Sequence, residues 1–191
     1  MLRTCIAADL ESERRLVYDV HMSEQREKIL HCACELFLDD GMDKFSMRKL
    51  AREVGVTAPA LYRHFDSKEH VLHEVLGEAY RRMAGHLYRA LEGVTPGERL
   101  LLATEGYARF ALDNPRLYDV LFASPELMGF TDVPDELESQ GCAIGQFWND
   151  RIRDCMDAGV LGQGDPRSVS ITMWAHAHGL ISRSQRGLLY R

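Results

Sequence analysis

Apolar residues in this chain recur every three to four positions along most of its length. No apolar run approaches the 18 residues of a membrane span, and no long apolar/polar alternation is present, so the sequence has to be packed from amphipathic helices. The best candidate for a strand, Val169-Ser170-Ile171-Thr172, lies inside a helical pattern. Local signals mark the breaks. Ile29, Leu30, Ala33, Leu36 and Phe37 form one face of a helix over about residues 24 to 39, between Ser23 as a cap and Gly41 as a stop. Ser46 can cap a short second helix that turns Met47, Leu50, Ala51 and Val54 inward and ends at Gly55. Thr57 can cap a third, with Pro59 tolerated in its first turn and Tyr62 to Phe65 closing it. Two short helices joined by a glycine-bearing turn form a helix-turn-helix.

The same punctuation continues. Ser67 caps a long helix, Glu69 sits in its first turn, and Val71, Leu72, Val75, Leu76 and Ala79 give its stripe to about residue 92. Thr95-Pro96-Gly97-Glu98 combines a capping box with proline at the first helical position and opens the helix of Leu101, Leu102, Tyr107 and Phe110. Asn114-Pro115 breaks that helix and starts another. Ser124 to Val133 is looser, Pro134 opens a helix to about Ala158, and Asp165-Pro166 starts a last helix containing Val169, Ile171, Met173, Trp174 and Leu180. The fold class is therefore all-α. An extension over residues 1–21 precedes a three-helix domain at 22–68 and a larger helical bundle at 69–191.

Charge is segregated along the chain. The 191 residues carry a net −6, yet between Lys44 and Lys68 the cations Lys44, Arg48, Lys49, Arg52, Arg63 and Lys68 face only Glu53 and Asp66. That is a net +4, which leaves −10 for the remainder. A small basic patch on an acidic body can grip phosphates while the body discourages indiscriminate binding. Apolar residues at 46% and charged residues at 27% exclude disordered and collagen-like classes. Arg3, Asp9, Glu11, Glu13, Arg14, Arg15 and Asp19 interrupt any secretory signal, so a cytoplasmic protein is expected. The five cysteines form no CxxC pair, so they read as reduced thiols, with thiol sensing at Cys142 or Cys155 a minor alternative. His70, His73 and Glu74 have a metal-compatible spacing but no second cluster, so neither metal nor cofactor is expected. No GxSxG, P-loop, GxGxxG or HExxH motif occurs, which argues against an enzyme.

Residues 26 to 76 resemble the DNA-binding domain of the TetR family of transcriptional regulators. The matching string is Arg26, Ile29, Leu30, Ala33, Leu36, Phe37, Gly41, Ser46, Arg48, Leu50, Ala51, Gly55, Val56, Leu61, Tyr62, His64, Phe65, Ser67, Lys68, Glu69 and Val75, without insertions. A recognition helix must bring its backbone close to base edges in a major groove about 12 Å wide, which suits the small residues Thr57, Ala58, Pro59 and Ala60. The resemblance implies that Tyr62, His64 and Lys68 meet phosphates and that Ser46 or Arg48 touches the backbone from the second helix. Thr57, Ala58, Ala60 and Arg63 are the candidates to face bases. With one long polar side chain among those four, DNA shape contributes to readout.

The second half resembles the regulatory domain of the same family, and Trp174-Ala175-His176-Ala177-His178-Gly179-Leu180 looks like the Trp-His-Gly signature of one subgroup. The resemblance implies a homodimer on a pseudo-palindromic operator, its two recognition helices about 34 to 36 Å apart. It also implies a small apolar effector enclosed by the later helices, and release of the operator when that effector binds. Candidate pocket residues are Tyr107, Phe110, Leu121, Phe122, Phe147, Trp148, Met173, Trp174 and His178. Only Leu188 to Arg191 follow Gly187, so the usual last helix is expected to be missing or badly shortened, with either a truncated chain or a differently built dimer seam. The expected function is a ligand-responsive regulator, most simply a repressor. The rival is a DNA-bound scaffold that recruits a protein and has no inducer, which a side-chain-filled core would favour over an enclosed cavity.

Overall fold

The computed structural model describes residues 24–41, 44–123, 133–185 and 187. Among them the regular structure is helical: α1 (24–40), α2 (Met47–Val54), α3 (Ala58–Tyr62), α4 (Lys68–Tyr88) continued by a 3₁₀ turn (Arg89–Glu92), α5 (Pro96–Asp113), α6 (Pro115–Leu121), α7 (Asp135–Asp157) and α8 (Pro166–Gln185). None of these helices is long and apolar enough to cross a membrane. The predicted extension 1–21, most of the loose stretch after Ser124, and Leu188–Arg191 lie outside the described residues. The chain divides into two compact units, one to Leu72 and one from His73, so the division falls inside α4, four residues beyond the boundary read from the sequence.

The caps predicted at Ser46, Thr57, Ser67, Thr95 and Asp165 form, and Ser23 lies outside the described residues. Ser46 Oγ accepts from Lys49 N at 3.2 Å, Thr57 Oγ1 from Ala60 N at 3.3 Å, and Ser67 Oγ from His70 N at 3.1 Å. Thr95 and Glu98 close the reciprocal capping box of α5, and Asp165 Oδ2 accepts from Ser168 N at 3.0 Å to start α8. Each such cap is worth about 1 kcal/mol of helix stability. Gly55 ends α2 with φ +81°, where its own N–H and that of Val56 both reach the Ala51 carbonyl. A side chain there would be strained, which explains the glycine.

In the first unit Ile29, Leu30, Ala33, Cys34, Phe37, Leu50, Ala51, Leu61, Phe65 and Val71 are buried. Cys34 belongs to this core, whereas Cys32 is only partly covered. In the second unit Met83, Leu87, Tyr107, Phe110, Ala111 and Tyr118 form one apolar cluster, and Leu100, Ile152, Cys155 and Met156 form another. Trp148 packs against both. Helix α8 attaches through half-buried side chains: Ala177 and Ile181 lie on the first cluster, Val169 and Met173 on the second, and none of its residues is fully buried.

Candidate functional site: a helix-turn-helix and an aromatic cavity

Each unit carries one candidate site. In the first, Leu61 is fully buried and Phe65 nearly so, which anchors α3 from beneath and leaves Thr57, Tyr62, Arg63 and His64 exposed, with Ala58 and Ala60 partly covered. Ser46 and Arg48 are exposed on the preceding helix, and Lys68 is half-buried at the first position of α4. The cations divide into two groups. Lys49 pairs with Asp40 and Arg52 with Glu53, whereas Lys44, Arg48, Arg63 and Lys68 make no ion pair among the described residues. Those four charges remain available to phosphates, and screening by salt would act on them directly. His70 does a different job from metal ligation. Its Nδ1 accepts from the Asp66 backbone N at 3.2 Å and its ring meets Phe65 edge-on at 5.7 Å, which braces the turn between α3 and α4. No group of three or more His, Cys, Asp or Glu residues is placed to hold a metal among the described residues.

In the second unit a cavity of about 380 Å³ opens among α4, α5, α6, α7 and α8. Five of the predicted pocket residues line it: Tyr107, Leu121, Phe122, Trp148 and Trp174. Phe147 lines a neighbouring cavity of about 390 Å³ between α4 and α7. The structure places the other three elsewhere. Phe110 is completely buried in the core with its ring edge against His86, and Met173 packs on the Leu100, Ile152 and Met156 cluster. His178 stands behind the wall, stacked between Tyr118 at 5.5 Å and Trp174 at 5.2 Å. Periodicity assigned these residues to an inward face but could not distinguish core from cavity wall.

His178 organises a buried polar relay. Tyr107 and Tyr118 share a hydrogen bond of 3.0 Å, the Tyr118 hydroxyl meets His178 Nδ1 at 2.6 Å, and His178 Nε2 lies 3.4 Å from Ser182 Oγ. One proton order satisfies every member. Trp174 donates to Tyr107, Tyr107 to Tyr118 and Tyr118 to His178 Nδ1, which leaves Nε2 to meet Ser182. Burial pushes the Tyr107 hydroxyl far above the usual phenol range and the Tyr118 hydroxyl in the same direction, so both stay protonated. The relay therefore fixes the aromatic wall through two neutral phenols.

Sequence reasoning found Trp148 on α7 and Trp174 on α8 but missed the α4 contribution to the wall, Tyr80 and Met83, along with Gly141, Ile144 and Gly145 of α7 and Ser170 and Ile171 of α8. Glycines inside a helix were the available signal, because each costs about 1 kcal/mol relative to alanine and needs a reason.

Comparisons with known proteins agree with this arrangement. Residues 29–75 match the model of bacterial regulatory proteins of the tetR family, and residues 100–190 match that of the tetracyclin repressor-like C-terminal domain. The HTH-type transcriptional repressor KstR of Mycolicibacterium smegmatis is 32% identical over 149 residues, 75% of this chain and 66% of the relative. The chain thus spans just under two thirds of the length of that relative. Among solved structures, the TetR family regulator PfmR of Thermus thermophilus superposes with a TM-score of 0.68 at 24% identity, covering 85% of this chain and 86% of its own. AibR, solved in complex with isovaleryl coenzyme A and operator DNA, gives 0.69 at 17% identity, covering 79% and 82%. At these identities the superpositions speak for the fold, and the relatives are transcriptional regulators rather than enzymes. With both of its halves matched and its helix order shared, the chain belongs to the TetR family of bacterial regulatory proteins.

Proposed function

We propose that this chain is a DNA-binding transcriptional regulator, acting as a homodimeric repressor that a small apolar molecule releases from its operator. The observation that carries the DNA-binding part is the capped Ser46–Phe65 helix-turn-helix. Its inward residues are fully committed to the core, and its outward cations Arg48 and Arg63, with Lys68 beyond it, are left unpaired among the described residues. Thr57, Ala58, Ala60 and Arg63 face bases, while Ser46, Arg48, Tyr62, His64 and Lys68 hold the sugar-phosphate backbone. The cavity supports an effector over the scaffold reading, since a partner-recruiting body has no need for an aromatic void of this size.

Helix α8 supports the dimer. Ile171 is 55% exposed and Leu180 59%, and burying such a side chain gains about 1.5–3 kcal/mol. The helix that begins at Lys68 also lines the cavity at Tyr80 and Met83, so an effector that displaces α4 acts on the same element that carries a phosphate contact. A hundredfold fall in operator affinity requires the effector to prefer the DNA-incompetent state by about 2.7 kcal/mol.

The test is fluorescence anisotropy with promoter fragments recovered by genome-wide binding, across a salt series. Tight, fragment-selective binding with a steep salt slope is expected, and Lys68→Ala should weaken every fragment alike and flatten the slope by about one unit. Binding that ignores both fragment and salt would refute the proposal.

A further inference from the structure

The cavity and its neighbour differ in chemistry, and the difference specifies a class of ligand. Around the Trp174 cavity five aromatic rings and several aliphatic side chains carry no charge among the described residues. An ionised group placed there would find no counter-charge in the wall. The wall is also cut away. A Cβ built on Gly145 of α7 would meet nothing within 4 Å, so that position opens straight into space, whereas at Gly141 it would meet the Tyr80 hydroxyl at 3.0 Å. The hydroxyl end of Tyr80 therefore rests against α7 at Gly141. Together with Ile144 it is shared by both cavities, and it forms the partition between them.

The second cavity carries the polar end. The Gln140 side-chain oxygen is buried with no hydrogen-bond partner among the described residues, and Gln140 lines this cavity together with Arg81. The Arg81 guanidinium is already held by Glu78 at 3.0 Å, so it is not a free anion receptor. A buried amide left without a partner costs about 1–3 kcal/mol, which a ligand can recover. Because the oxygen and nitrogen of a glutamine exchange places by a simple flip, the group that satisfies either orientation is a hydroxyl, which both donates and accepts.

We propose that the two cavities form one site for a single uncharged, elongated amphiphile, whose apolar body fills the Trp174 cavity past Tyr80 and whose hydroxyl bonds Gln140. This rests on the effector reading above and names the chemistry of its ligand. Gly145 is the position that keeps the body's compartment open, and it sets the length admitted.

The chain's two tryptophans, Trp148 and Trp174, both stand in the wall, so intrinsic fluorescence reports occupancy without DNA. Three probes share one body and differ at one end: 4-octylphenol, 4-octylbenzoate and octylbenzene. The phenol should give a saturable change in tryptophan emission and bind at least tenfold tighter than either of the others. Gln140→Ala should bring phenol and octylbenzene within about threefold of each other. Gly145→Leu should abolish the response to all three while circular dichroism stays native, and Gly145→Ala should weaken it if the leucine variant does not fold. Tighter binding of the benzoate, equal binding of phenol and octylbenzene, an undiminished preference in Gln140→Ala, or no response to any probe would each overturn the inference. The first of these leaves an effector site of opposite charge class, so the proposed function stands. If the phenol binds as expected but never releases operator DNA, the ligand class holds and the effector role fails.

Discussion

Gly106 offers the sharpest test of how the second unit is assembled. It is buried in the middle of α5, and a Cβ added there would lie 2.4 Å from the carbonyl oxygen of His86 and 3.0 Å from its carbon. The obstacle is backbone, so no side chain can swing aside. Reaching the 3.0 Å floor of real Cβ contacts requires α4 and α5 to separate by about 0.6 Å. Overpacking of this kind costs about 1–3 kcal/mol, while alanine in place of a helical glycine returns about 0.5–1 kcal/mol. Gly106→Ala should therefore be net destabilising by about 0.5–2 kcal/mol, a fall in Tm of about 2–6 °C for a chain of this size. Gly85→Ala is the control, because a Cβ there meets nothing within 4 Å. It should be stabilised by about 0.5–1 kcal/mol through propensity alone. Thermal and urea unfolding at one fixed protein concentration measures both, since association would otherwise shift the transition. A Gly106→Ala protein as stable as wild type would show that α4 and α5 do not approach this closely.

Alkaline stability follows from the buried phenols. Tyr107 and Tyr118 hold their protons more tightly folded than unfolded, so their contribution is complete below the ordinary tyrosine value of 10.0 and is lost as pH rises from there toward their raised values. Urea midpoints measured from pH 8 to 11 should fall above pH 10, and the fall should shrink in the Tyr107→Phe/Tyr118→Phe double variant. Thr95→Ala removes the acceptor for Glu98 N and should cost about 1 kcal/mol in urea unfolding. Glu98, held below the usual carboxylate range by the Thr95 and Val94 backbone N–H groups, contributes stability present above pH 4.5 and lost as pH falls toward its depressed value. Arg63→Ala should alter the ranking of promoter fragments in competition binding, whereas Lys68→Ala should preserve it.

Much of the fold was legible because its punctuation is local. Ser46, Thr57, Thr95 with Glu98, and Asp165 act within three residues of themselves, so spacing alone identifies them. The helix-turn-helix was legible for the same reason, its buried Leu61 and Phe65 being one turn apart. The cavity was not, because a void belongs to no residue. Phe110 and Trp148 present the same helical spacing, yet the first is sealed against His86 while the second borders open space. The distinction depends on which neighbours are missing side chains, Gly145 above all, and that is settled only when α4 and α7 come together.

The incomplete burial of α8 has a dynamic corollary. A helix whose every side chain stays at least partly wet opens at little cost by itself, so its amides belong among the quickly exchanging ones of an isolated molecule. If a second copy covers Ile171 and Leu180, that exchange slows as protein concentration rises, while the amides of α5 hold their rate. Helix α8 is then ordered in proportion to how many molecules are present, and abundance becomes a variable of the native state itself.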